Sequence, residues 1–541
     1  MKNHFVIKKS ILLSAFILVF TSCGDSFLDR EPEGAYVDGT FYISPEALKA
    51  ATGPLYTRAW FDYHVRPIVP LGSLRANDAY NPWMNPEYTL FTVTSLHPEL
   101  SSAWRGFYSV IVMANAIIDA VNTKSKNVTE EQKNVAIAEC RIMRAISYFY
   151  LVRLWGPVII FEDNNTVIKD PILPRHREED VFQFIINDLK YAAEHLPEFW
   201  DKGRATSWSA KGMLAKVYLA RSGWKKGGDR DESDLAESLR YAEDIFKNSG
   251  LELLPKYEDL YKYKFNNNEE SLIAMQWVPL GDWFVRNTLF PDLAHSPDVV
   301  GGLMVWGGGL TASPEILLLY ERADSLRRDA TYFTQGAYYP YINISGGGYT
   351  YTGTSANIKK GVPGGPNDDN DGKVDFMTSP LNTYILRLAD VYLTYAEASL
   401  GNRASLNSGA GLEYFNKVRD RAKVPRKNII TFDDIIKERR IEFAMEYTNW
   451  YDMVSWYCWK PDQMLEYFNN QMRGYRAHEI VKDADRNVVF VPNSGGDIYS
   501  IPDIPVVITH DNIFLPYPES DLIQNPRLKE EPQPYNFNPN N

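Results

Sequence analysis

Apolar residues recur at helical spacing through the first half of the chain and again towards its C-terminal end. Ala138, Ile142, Ala145, Phe149 and Val152 form one such seam, as on a helix face turned towards a core. Gly156-Pro157 follows it as a stop signal. From Ser101 to Val121 the chain is nearly continuously apolar or small, which predicts a helix buried on several sides. Val181 to Leu196 and Ser209 to Ala220 give another pair, and the texture returns at Arg387 to Leu400, Leu412 to Ala422 and Phe432 to Tyr447. Two starts are explicit. Ser44-Pro45 places a capping residue before proline at N1. Thr431 and Asp434 make a capping box, with Ile430 and Ile435 as its staple. Small residues such as Ala145, Ala210, Gly212, Ala389 and Ala396 recur where helices must approach closely. The expected fold is mainly α, a degenerate tetratricopeptide-like helical repeat scaffold over about 40–250 and 381–460, with long inserted loops and a small amount of β.

The pattern breaks between about 251 and 380, where Gly, Pro, Asn and aromatics replace periodic helix, as at Gly301-Gly302 and Gly307-Gly308-Gly309. So long an irregular stretch in a compact domain is usually functional, and it is the expected ligand-binding insert. Shorter irregular segments run from Asp62 to Pro98 and from Tyr475 to Ile513; in the latter, Val488-Val489-Phe490-Val491 suggests a small sheet.

The N-terminus changes the compartment. Lys2, Lys8 and Lys9 precede the apolar run Ile11 to Phe20, which has signal-peptide length and is too short to span a bilayer. Thr21-Ser22-Cys23 then offers a thiol for diacylglyceryl modification, so 1–22 reads as a lipoprotein signal peptide and 23–541 as one mature domain. The alternative is an ordinary secretory leader with an incidental cysteine. No other run reads as long and apolar enough to cross a membrane. Losing three leader lysines and no acids moves the formal charge from −12 to −15, which argues against a nucleic-acid partner. Cys140 and Cys458 are expected to be buried thiols, not a disulfide framework.

Several segments together resemble the SusD/RagB family of outer-membrane nutrient-binding lipoproteins. They are Cys23-Gly-Asp-Ser-Phe27-Leu28-Asp29, Ala138-Glu139-Cys140-Arg141 through Arg144 to Leu154-Trp155-Gly156-Pro157, and Arg387-Leu388-Ala389-Asp390 to Glu397. Glu438-Arg439 with Glu442, Glu446, Trp450 and Asp452, and the closing Leu515-Pro516-Tyr517-Pro518 with Asn525-Pro526, complete the match. The resemblance implies a lipid-anchored, surface-exposed protein of a Gram-negative outer membrane. Such a protein binds an oligosaccharide without catalysis and passes it to a SusC-like TonB-dependent barrel. It also implies that these motifs are scaffold. Glu438 and Glu442, neighbours on one helix face, could otherwise be an acid/base pair, but Arg439 and Arg440 beside them favour structural ion pairs. A peptide-capturing lid, a surface glycoside hydrolase, and a gate that binds little itself remain alternatives.

No zinc-protease pair, phosphate loop or nucleophile elbow is present. One loop looks chemical: Asn367, Asp369 and Asp371, then Gly372, the Lys373 carbonyl and Asp375, follow an EF-hand-like calcium order, with Thr378 where the bidentate Glu belongs. It is read as a structural Ca²⁺ site or a solvated acidic turn. For a sugar, flat aromatic platforms with polar edges are required. Aromatics make up 13% of the chain, so the candidates are those outside helices. Trp83 and Trp306 are the expected platforms, with Asp78 and Asn85 as hydrogen-bonding partners, and Trp283, Tyr338 and Tyr339 complete the set. Core packing is the competing role for each tryptophan.

Overall fold

The computed structural model describes residues 42–225, 227–482, 488–493 and 506–538. Eleven of its helices carry the scaffold. They are α1 (Pro45–Thr52), α2 (Pro98–Lys124), α3 (Glu130–Trp155), α4 (Glu178–His195), α5 (Ser207–Gly223), α6 (Glu232–Asn248), α7 (Leu388–Leu400), α8 (Ala410–Ala422), α9 (Phe432–Glu442), α10 (Asn449–Trp459) and α11 (Pro461–Asn469). Each helix from α2 to α6 packs on the next, α6 packs on α7, and α7 on α8. The two helical stretches of sequence are thus one continuous stack, and the chain between them leaves it and returns. The mainly α repeat scaffold expected from the periodicity is what the chain forms.

Local signals explain most boundaries. Ser44 Oγ accepts from Ala47 N–H at 3.2 Å, and Thr431 and Asp434 exchange the two bonds of a capping box. Gly156 closes α3 with φ +73°, a conformation that costs glycine little. Two expectations need correcting. Helix α9 ends at Glu442, not Tyr447, because Met445 and Tyr447 adopt positive φ. Helix α2 is in fact long and apolar enough to cross a membrane by composition. However, Leu100, Phe107, Val110, Ile111 and Ala114 on it are buried in the protein core, and it packs on α3. Cys140 and Cys458 are free buried thiols, and burial pushes both upward in pKa.

Among the described residues, the irregular segments are stitched by four two-stranded antiparallel ladders. They pair β1 (Ala79–Tyr80) with β3 (Thr311–Ala312), β2 (Ser271–Met275) with β6 (Thr383–Arg387), β4 (Tyr338–Tyr339) with β5 (Tyr349–Thr350), and β7 (Arg476–Lys482) with β8 (Val488–Asn493). The last is the small sheet expected around Val488. The first determines the site: Ala79 pairs with Ala312 and Tyr80 with Thr311. Because the pair is antiparallel, the chain leaving Tyr80 and the chain entering Thr311 lie at the same end of the ladder.

The family-like motifs form a buried charge framework. Arg144 makes a bidentate pair with Asp188, at 2.8 Å for both bonds, joining α3 to α4. Glu139 accepts from Thr52, Tyr56 and Arg204. Arg387 reaches Glu270, Glu442 and Glu446 at 2.7–2.8 Å, while Arg327 bridges Asp324, Glu438 and Glu442. Glu438 and Glu442 are both fully surrounded. Although burial opposes its ionisation, the guanidinium groups of Arg421, Arg387 and Arg327 hold the Glu442 carboxyl well below the usual range. Charged groups packed this way are costly to break because each leaves an uncompensated partner.

Candidate functional site

At the end of the β1–β3 ladder lies an open cleft of about 940 Å³. Its walls come from three parts of the chain: Arg66 to Leu74, Asn81 to Asn85 with Glu99, and Asp292, Trp306 and Leu310. The expected insert therefore supplies only one of the three walls.

Trp83 and Trp306 both line the cleft, with 49% and 39% of their surface exposed. Exposed indoles of this size are not core residues, and each is held by specific contacts. Asn81 Oδ1 accepts from the backbone N–H of Trp83 at 2.9 Å and of Met84 at 3.2 Å, turning the chain beneath the ring. Gly309 packs so closely that a Cβ there would come within 2.5 Å of Trp83 Cε3. The Arg476 guanidinium sits 5.4 Å from the Trp83 ring centroid. Trp306 donates its indole N–H to Asp292 and its backbone N–H to the Pro291 carbonyl.

The rim is polar. Burial pushes the Asp292 carboxyl up to about 6, against the opposing pull of the Trp306 N–H and Arg66, with Glu99 adding to the rise. Glu99 Oε2 is buried and has no hydrogen-bond partner among the described residues. Asn85, at φ +55°, begins a short helical turn, Pro86–Leu90. Two flat rings flanked by carboxylates, amides and Arg66 form a surface suited to a ligand with apolar faces and hydroxyl edges.

Other expected site residues lie elsewhere. Asp78 is fully buried and accepts from Asn449 Nδ2 at 3.1 Å, with Arg440 at 3.9 Å. It anchors the loop leading to Trp83 instead of facing a ligand, and burial raises its pKa to about 6. Tyr339 is also a core residue, 4% exposed, with its hydroxyl donating to the Asp329 carbonyl. Tyr338 is exposed but donates to the Gly347 carbonyl and lines no part of the cleft. Trp283 is exposed and meets Phe61 edge-on at 6.3 Å. With Phe284 it forms a separate aromatic patch. Cys23 lies outside the described residues.

The calcium-like loop is organised in another register. Asn367, Asp369, Asp371 and Asp375 face outward, and Asp369 pairs with Lys264. Asp368 does the internal bonding, accepting from the N–H groups of Gly365, Ile344 and Asn343 at 2.7–3.0 Å. Asn370 donates to the Gly365 carbonyl at 2.7 Å, and Lys373 N–H is bonded to the Asn370 carbonyl. Among the described residues no three His, Cys, Asp or Glu side chains are grouped to hold a metal. In this arrangement the side chains of Asn367, Asp369, Asp371 and Asp375 point outward instead of converging.

Sequence reasoning missed Arg66, Glu99 and Asp292. Glu99 sits in the first turn of α2 and reads as an ordinary helix-start acid. Only the fold brings it to the cleft.

The chain is similar to known proteins along most of its length. The model of the SusD family matches residues 264–535, and one described as "Starch-binding associating with outer membrane" matches 50–219. A SusD-like protein of Bacteroides ovatus is 60% identical over 99% of both chains, and SusD-like protein P25 of Formosa agariphila is 24% identical over 83% of this chain and 90% of its own. A crystal structure solved with a xylogluco-oligosaccharide, 60% identical, superposes with a TM-score of 0.87 over 91% of this chain and all of its own. A SusD-like carbohydrate-binding protein of Bacteroides fragilis, 19% identical, shares the fold at a TM-score of 0.68, over 91% of this chain and all of its own.

Proposed function

This chain belongs to the SusD family, and we propose that it captures a xylogluco-oligosaccharide in the Trp83–Trp306 cleft and delivers it to a TonB-dependent barrel of the outer membrane. The observation that carries this reading is the pairing of two exposed, rigidly mounted indoles over a rim that includes Glu99 and Asp292. Sugar rings stack on the indoles while their hydroxyls bond to the carboxylates and amides. The 60% identical relative solved with a xylogluco-oligosaccharide narrows the ligand class. Binding here involves no covalent step. Lipidation at Cys23 would tether the protein at the cell surface by its extreme N-terminus, leaving the body free to work as a lid.

Titrating leaderless protein against xylogluco-oligosaccharides, malto-oligosaccharides and peptides tests the reading. Binding of the first class, with no release of new reducing ends, is expected. Binding of peptides alone would replace it with a peptide-capturing lid.

A further inference from the structure

A small cavity, about large enough for one water-sized occupant, lies inside the scaffold and shares no lining residue with the tryptophan cleft. It is lined by Arg153 of α3, Lys216 of α5, Arg230 before α6, Glu397 of α7, Arg439 of α9 and Asp452 of α10. All six are more than nine-tenths buried. The only other charged group among the described residues that pairs with them is Asp390, also buried.

The charges do not balance. Lys216 Nζ lies 2.6 Å from Asp390 and 3.1 Å from Asp452, and Arg439 Nη2 lies 2.6 Å from each of the same two acids. Arg153 approaches Asp452 at 3.7 Å, and Arg230 pairs with Glu397, which also accepts from the Trp456 indole. Four cations thus share three carboxylates, leaving one net positive charge in the buried interior. The hydrogen bonds show the same deficit. Arg230 Nε and Nη1 and Arg439 Nη1 are buried and have no acceptor among the described residues. The Arg230 guanidinium lies 3.7 Å from the Trp459 ring centroid, which shields it without supplying an acceptor. Burial pushes the pKa of both Arg230 and Arg153 down despite the nearby acids, in keeping with incomplete compensation. An arginine does not relieve such a deficit by losing its proton, and an uncompensated buried charge is costly.

We propose that this cavity is a binding site for a small monovalent anion of the halide class, held by Arg230 and Arg439. One negative charge completes the balance, and a spherical anion accepts several N–H groups without directional demands. Water would satisfy the donors but not the charge. The bound ion would join elements from both halves of the helical stack, α3 and α5 with α7, α9 and α10.

Crystals of leaderless protein soaked in bromide test the site directly. An anomalous peak within hydrogen-bonding distance of Arg230 and Arg439 is expected; density for water alone, with no anomalous signal, would overturn the proposal. In solution, replacing gluconate by chloride at constant ionic strength should raise the Tm by about 2 °C at a hundredfold excess over Kd, and Arg230→Gln, which removes the excess charge, should abolish both the rise and the bromide peak. A rise that persists unchanged in Arg230→Gln would contradict the assignment. Should that variant not fold, the bromide peak in the unaltered protein decides the matter.

Discussion

Carboxylates drawn out of water occur both in the scaffold and at the cleft, and they are treated in opposite ways. Glu442 is surrounded by Arg327, Arg387 and Arg421 and is held ionised. Asp292, beside Trp306, has a donor indole and the more distant Arg66, and its carboxyl rises to about 6. Around Glu442 the scaffold's cations are matched to its own acids. The cleft leaves polar groups such as Glu99 Oε2 for something else to satisfy. Residues of identical chemistry are therefore structural or ligand-facing according to how completely the fold compensates them.

The contrast can be broken most forcefully on the scaffold side. Glu442→Gln leaves three guanidinium groups short of a charge and should destabilise the fold by about 3–5 kcal/mol, measured by denaturant unfolding. Ligand affinity of the remaining folded protein should not change. On the cleft side, Trp306→Ala should weaken oligosaccharide binding by about 2 kcal/mol, roughly thirtyfold by calorimetry, with little change in Tm. Equal loss of stability in the two variants would erase the distinction between the regions.

A subtler test uses pH. A carboxyl that ionises at about 6 when folded and at about 3.9 when unfolded releases its proton earlier in the unfolded chain. Stability should therefore fall as pH rises from about 4 to about 6 and level off above that. Asp78, raised to the same value, contributes over the same window. Asp292→Asn should remove the Asp292 share of the slope, an effect of about 1 kcal/mol once partial solvent access to the cleft is allowed for. Its amide oxygen can still accept from the Trp306 indole, so binding should survive. The smallest effect is expected at the Asp369 and Asp371 loop: calcium removal by EDTA should shift the Tm by less than about 1 °C, since Asp368 already satisfies the turn internally.

Much of the scaffold was legible because its signals are local. The Thr431 capping box and the Gly156 stop depend on residues within a few positions of each other. Helix α6 falls within the expected repeat region but shows no seam from which to place its ends: its buried side chains Leu235, Tyr241, Ala242 and Ile245 are sparse within a strongly polar run. At the site, Trp83 and Trp306 stood out as aromatics in irregular chain. The role of Asp78 could not be read, because it is decided by Asn449, 371 residues away. The orientation of the calcium-like loop was hidden for a related reason. Alternating Asp and Asn residues define a ligand set only when the backbone turns the odd positions inward, and here Asp368 and Asn370 turn inward instead.

The most direct test of the central claim is a crystal structure of the leaderless protein with a xylogluco-oligosaccharide. Sugar rings should lie against the faces of Trp83 and Trp306, with hydroxyls within hydrogen-bonding distance of Glu99 or Asp292. Ligand density confined to the Trp283–Phe284 patch, or lying elsewhere with the cleft clear of sugar, would contradict the account.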